Sequence, residues 1–179
     1  MALPFSSLSR TGEIAAFAVC TAVALLLGWW VSHLGASLKT AAAPNGGLSL
    51  QLAWSASHAD AILRGWDDAQ RAAAVRQTWW DFLFLIAYPL ALSFSCAVIS
   101  RHVRSPLSDF GVAFAWTVLF AGVLDAIENV CLLRMLHVGA QGWLSQGATV
   151  CATFKFALVF SVIGFWIVAT CSRWRDRCG

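Results

Sequence analysis

The chain has 179 residues and a formal net charge of +3; 59% of it is hydrophobic, 12% is charged, and the mean hydropathy is +0.71. A soluble domain carries about 25% charged residues, so this composition, with several long apolar runs, excludes an ordinary soluble protein and indicates an integral membrane one. The basic residues are scattered or sit at loop ends, which argues against a nucleic-acid surface and for a role in setting topology.

The first 13 residues form a short polar lead holding Arg10. Residues 14–34 are apolar, about 21 residues, enough for a first span. Trp29, Trp30 and His33 end it as an interfacial anchor would. A signal peptide is the rival reading, but this run is longer than an h-region, and Ala41-Ala42-Ala43 precedes Pro44, a poor neighbour for cleavage. Residues 35–45 read as a linker, with turn chemistry at Pro44-Asn45-Gly46-Gly47. The apolar stretch 48–54 is placed on the membrane surface. Ser57 is expected to cap a short helix that runs through Arg64 and ends at Gly65. Asp67 and Asp68 then start a helix needing no break before Ser100, with Trp79-Trp80 at the interface and Asp67–Arg71 as an i,i+4 pair. Arg64, Arg71 and Arg76 make a basic face, either solvated or set against anionic head groups.

The second span covers about 82–100 and contains Pro89, which frees the carbonyl of Leu85. After the basic loop 101–106, the third span covers about 110–135 as one helix. A loop at 137–146 leads to the fourth span, about 148–171, interrupted by Lys155, and to a tail with Arg173, Arg175 and Arg177. The fold class is therefore all-α: an integral membrane four-helix bundle, one domain over 1–179, with an extra-membrane amphipathic helix in the loop 35–81. Arg10, Arg101, Arg104 and the tail arginines fall on one side, so the positive-inside rule puts both termini in the cytoplasm of a cell inner membrane.

Six cysteines, Cys20, Cys96, Cys131, Cys151, Cys171 and Cys178, make no C-x-x-C pair, and the long loop has none. They read as small buried hydrophobes, not as the thiols of a quinone-linked disulfide-forming enzyme.

An ionisable residue inside a span marks a functional-site hypothesis by default. Asp125, Glu128 and Asn129 fall within an arc of about 100° on one helix, and Val118, Ala121, Gly122 and Leu132 share that stripe. Ala121 and Gly122 are small enough to admit a neighbouring helix. Counted from the outer span ends, Glu128, Lys155 and Tyr88 all lie roughly 10–12 Å deep, with Asp125 one turn deeper and Asp81 at the mouth. One cluster is expected from Asp81, Tyr88, Asp125, Glu128, Asn129 and Lys155. Asp125, Glu128 and Lys155 are its candidates for chemistry, with one carboxylate protonated at rest. Arg134 lies about 180° round the helix from Asp125 and is expected to snorkel. No histidine lies at this depth and no Glu-x-x-His pair occurs, so no metal is expected. With no phosphate loop, nucleophile elbow or dinucleotide fingerprint, no cofactor is expected either.

The runs Asp81-Phe82-Leu83-Phe84 with Tyr88, Ala121-Gly122-Val123-Leu124-Asp125-Ala126-Ile127-Glu128-Asn129, and Lys155-Phe156 resemble a family of small four-span bacterial inner-membrane proteins. That resemblance covers the second to fourth spans and the approach helix with Ile62, Leu63 and Trp66. It supports the architecture and implies no activity. The functional expectation is an outward-facing polar pocket that binds, or binds and chemically modifies, a lipid or small amphiphile. Two alternatives stand beside it: an accessory subunit of a larger membrane complex, and a proton-coupled transporter. The inner span halves offer little beyond Ser95, Thr117 and Ser161, which weighs against a continuous ion path. Expected partners are membrane lipids and a homo-oligomer or larger complex, with no nucleic acid.

Overall fold

A computed structural model describes residues 3–178, with side chains through Arg175; the side chain of Arg177 in the basic tail lies outside the described residues. The described residues are helical, with no strand: α1 (Arg10–Leu34), a 3-10 turn (Gly35–Leu38), α2 (Gly47–Gln51), α3 (Ala56–Gly65), α4 (Asp68–Ser100), α5 (Leu107–Thr117), α6 (Leu119–Val138) and α7 (Gly142–Cys178). Four stretches are long and apolar enough to cross a membrane, at Arg10–Leu38, Asp68–Ser100, Leu107–Val138 and Gly142–Arg175. This is the pattern of a multi-pass membrane protein.

Local chemistry sets the helix ends. The α1 helix begins in what reads as a polar lead, because the Ser9 hydroxyl accepts the Gly12 N–H at 3.1 Å and caps it. Glu13 thereby enters the first turn, where the helix dipole favours an acid. Ser55, not Ser57, caps α3: its backbone is extended and its hydroxyl accepts the His58 N–H at 3.2 Å, an arrangement worth about 1 kcal/mol. Ser57 instead bonds the Ser55 hydroxyl at 3.1 Å. Asp67 and Gln70 form a reciprocal capping box at the start of α4, with bonds of 2.7 and 3.1 Å. Arg71 does not pair with Asp67; it donates to the carbonyls of Leu63 (2.7 Å) and Trp66 (3.3 Å), closing the C-terminal end of α3.

The third apolar run is two helices rather than one, broken at Val118. The Ser93 hydroxyl donates to the Ala115 carbonyl at 2.6 Å, the acceptor that the Leu119 N–H would use in an unbroken α-helix. The Ala121 N–H closes on Val118 in the tighter i to i−3 pattern. At the other end of α6, Gly139 (φ +87°) donates its N–H to Met135 at 3.0 Å, a left-handed cap that favours glycine. Helix α7 starts at Gly142, earlier than the apolar run suggests, and its first turn is held by Ser145, whose N–H bonds the Gln141 carbonyl.

Packing divides the chain into two compact units, Met1–Ala24 with Ile86–Gly122 and Lys155–Gly179, and Leu25–Leu85 with Val123–Phe154. The first is cored by Cys96, Ala115, Val118, Val162, Phe165 and Ala169. Within it Gly111 lets helices approach: a Cβ there would lie 2.7 Å from Phe165 Cζ and from the Ser100 Cβ. Glu13, 1% exposed, binds Arg101 at 2.6 Å. The second unit is cored by Leu38, Ile62, Leu63, Trp66, Met135 and Leu144, among small alanines. The Trp66 indole N–H donates to the Leu38 carbonyl at 2.8 Å, so the chain after α1 is tied to the end of α3. Trp30 meets Trp80 edge-on at 6.0 Å and stacks on His33, an aromatic group suited to a membrane interface. The five described cysteines form no disulfide.

Candidate functional site

The α6 stripe is the buried face of its helix. Asp125 is 2% exposed, Glu128 0% and Asn129 1%, and Ala121, Gly122 and Leu132 of the same helix are buried, as is Val118 at the break before it, whereas Val123, Ile127, Val130 and Arg134 are exposed. A helical period of 3.6 puts the polar and small residues on one side and the branched apolar residues on the other.

Two of the expected site residues meet directly. The Asn129 side-chain N–H donates to Asp81 Oδ2 at 2.8 Å, joining α6 to α4 within the second unit. This pair lies in a cleft whose other lining includes Trp66, Gln77, Thr78, Leu132 and Leu136. The space inside is about 40 Å³, room for two or three water-sized groups and far too little for an acyl chain. Two of the polar side chains around it are anchored to backbone carbonyls. Gln77 donates to the Val31 carbonyl at 3.2 Å, and the Thr78 hydroxyl donates to Ala74 at 2.9 Å. Gln77 fits only because Gly35 and Gly47 carry no side chain; a Cβ at Gly47 would lie 2.9 Å from Gln77 Oε1. Gln51 also lines the cleft, and its carbonyl accepts the Thr149 hydroxyl at 3.0 Å, fixing α2 to α7 there.

The remaining expected residues are placed as follows. Asp125 and Glu128 are in the second unit, buried on the same face as Asn129; from α6 the cleft takes Asn129, Leu132 and Leu136. Tyr88 and Lys155 belong to the first unit, 8% and 6% exposed. The Lys155 ammonium lies 5.1 Å from the ring centroid of Phe156. No group of three or more metal-ligating side chains occurs among the described residues.

Sequence reasoning missed two polar groupings. One is the capping of α3 and its indole anchor, which makes Trp66 a wall of the cleft. The available signal was a Trp directly before an Asp-x-x-Gln box. The other is in the first unit, where Arg10 donates to His102 Nε2 at 2.6 Å beside the Glu13–Arg101 pair. His102 Nδ1 faces the Val98 carbonyl at 2.7 Å, so the imidazole donates there and accepts from Arg10.

Comparison with protein-family models, with curated proteins and with solved structures gives no match to this chain.

Proposed function

We propose that the cleft of the second unit binds the polar end of a lipid or small amphiphile, in a multi-pass protein of the cell inner membrane. In this reading the four apolar stretches pack as a four-helix bundle in one membrane domain. Both termini are cytoplasmic, and α2 and α3 stand outside the bilayer. The basic residues support that orientation: Arg10, Arg101, Arg104, Arg173 and Arg175 all flank the ends of spans on one side. Helix α3 acts as an amphipathic cover, supported by its buried Ala59, Ile62 and Leu63 against exposed Ser57, His58, Ala61 and Arg64.

The observation that carries the proposal is the Asn129–Asp81 hydrogen bond inside a small cleft with both polar and apolar walls. A carboxylate near a bilayer is expensive to hold, and here it is fixed beside an opening instead of being dispersed in solvent. The volume suits a head-group end, with the hydrocarbon left in the surrounding lipid. Native mass spectrometry of the detergent-purified protein tests this. The wild type should carry one amphiphile per chain. Ala74→Phe, which fills the cleft from a buried lining position, should lose it, at an overpacking cost of about 1–3 kcal/mol that the melting temperature reads. Leu136→Phe, at a half-buried lining position, serves if Ala74→Phe does not fold. The same adduct in wild type and filled variants would overturn the proposal.

A further inference from the structure

We infer that the exposed face of α7, near its C-terminal end in the first unit, seats one phospholipid with an anionic head group. This site shares no residue with the cleft of the second unit and stands apart from the reading above. A hollow of about 530 Å³ lies along that face, lined by Ile167, Val168, Cys171, Ser172, Trp174 and Arg175. At 100° per residue the six fall within an arc of about 160°. The centre of that arc is roughly 140° round the helix from Val162, Phe165 and Ala169, which pack into the core of the unit. All of the six but Ser172 are exposed, so no other described helix covers this face. The order along the axis is that of a phospholipid. Apolar Ile167, Val168 and Cys171 come first, then Ser172 and Trp174, and Arg175 last. From Ile167 to Arg175 the helix rises about 12 Å, close to the ~15 Å hydrocarbon depth of one leaflet. At about 30 Å³ per water-sized group the hollow holds about 18 of them, the scale of one acyl chain.

Charge selects the head group. The C-terminal halves of α4 and α7 both belong to the first unit, and the Trp166 indole N–H donates to Ser95 Oγ at 3.0 Å, so the two helices end together. Arg10 joins that end through His102. Arg10, Arg101, Arg104, Arg173 and Arg175 therefore gather there. The described acids at this end are engaged: Glu13 binds Arg101, and Asp109 accepts the Ser105 hydroxyl at 2.8 Å. The Arg175 side chain makes no hydrogen bond or ion pair among the described residues, and the tail sequence sets three arginines against one aspartate, Asp176. A guanidinium takes a phosphate through paired charge-assisted hydrogen bonds. Trp174 beside it suits the interface below the phosphate. Arg173 is about 180° round the helix from the centre of the hollow and points away from it. A second copy of the chain fits this face poorly. Copies in one membrane lie parallel, and a two-fold contact pairs a patch with itself, which would set Arg175 against its own equivalent.

The detergent-purified full chain, delipidated, is offered phosphatidylglycerol and phosphatidylcholine with identical acyl chains, and retained adducts are counted by native mass spectrometry. The wild type should hold phosphatidylglycerol over phosphatidylcholine by about fivefold, the value of one arginine beside an anionic head group. Arg175→Gln should bring the two lipids within about twofold of one another, and Arg175→Lys should keep the order. Arg173→Gln should leave the wild-type ratio unchanged within about twofold. Cys171→Trp, which fills the hollow from an exposed position, should lower the phosphatidylglycerol count by one. An adduct in the cleft of the second unit is common to all these variants and cancels in the comparison, so the two sites fail or stand separately. Melting temperatures establish that the variants fold; Val168→Trp fills the same hollow should Cys171→Trp not fold. Equal retention of the two lipids by the wild type, or an unchanged count in the filled variant, would overturn the site. Equal loss of preference in Arg173→Gln and Arg175→Gln would also overturn it, by showing a diffuse surface potential. Displacement of the lipid by excess glycerol phosphate would assign the arginine to a soluble anion, and a dimer lost in Cys171→Trp would assign the face to a second copy; either contradicts the phospholipid.

Discussion

Replacing Arg101 by Met should destabilise the first unit, because it strands a buried carboxylate. Glu13 is 1% exposed, and its Oε1 lies 2.6 Å from the Arg101 guanidinium. Its Oε2 has no hydrogen-bond partner among the described residues. Arg101→Met would leave this carboxylate buried without its cation, a state that costs about 3–5 kcal/mol when both partners are inside. The Arg101 side chain is 38% exposed, so water screens the pair from one side and the low end, about 3 kcal/mol, applies. At about 2–4 °C per kcal/mol, the melting temperature should fall by about 6–12 °C. Glu13→Gln removes the charge but keeps the shape, and should cost about 1–2 kcal/mol. The double variant should lose less than the sum, with a coupling of at least about 1 kcal/mol. Thermal unfolding in detergent, followed by circular dichroism, measures the cycle. Losses additive within about 0.5 kcal/mol would refute the reasoning, because a buried pair cannot be additive.

Gly111→Ala should destabilise by about 1–3 kcal/mol, since its Cβ would overlap Phe165 and Ser100, whereas Gly164→Ala, with nothing within 4 Å, should stabilise by about 0.5–1 kcal/mol; the same thermal assay compares them. Asp125→Asn and Glu128→Gln, at 2% and 0% exposure in a helix apolar enough to span a membrane, should keep or raise the melting temperature because each deletes a titratable group and keeps its shape; a fall of more than about 2 kcal/mol in either would show that the charge itself holds the fold. Compartment reporters fused after Trp54 and after Gly179 should read opposite sides of the membrane, and the same side would overturn the proposed topology.

Apolar run length and helical period made much of this legible in the chain itself. The four long stretches follow from composition alone, and the unbroken α4 follows from the absence of any break signal strong enough to end it, Pro89 included. The α6 stripe was readable because charge and small size recur at 3.6-residue spacing, and Asn129 does meet Asp81. What escaped reading depends on a partner far along the chain. The break at Val118 is set by a hydroxyl at Ser93, and no residue near Val118 announces it. Glu13 reads as part of a polar lead because its cation, Arg101, lies far along the chain. Ser55 and Ser57 are equal as capping residue types; the extended backbone at Ser55 decides between them. Arg71 had an acid four residues before it, yet two helix-end carbonyls in need of donors outcompete that exposed pair.

The claim that the cleft is a ligand site is tested most directly by hydrogen–deuterium exchange. The protein would be placed in phosphatidylcholine nanodiscs, with and without the total lipid extract of its native membrane. Ligand in the cleft should slow exchange in peptides covering Gly47–Gln51, the α4 segment from Ala74 to Asp81, and the α6 segment from Asn129 to Leu136, and leave α5 unchanged. Protection spread evenly over all helices, or confined to segments that do not line the cleft, would contradict the account.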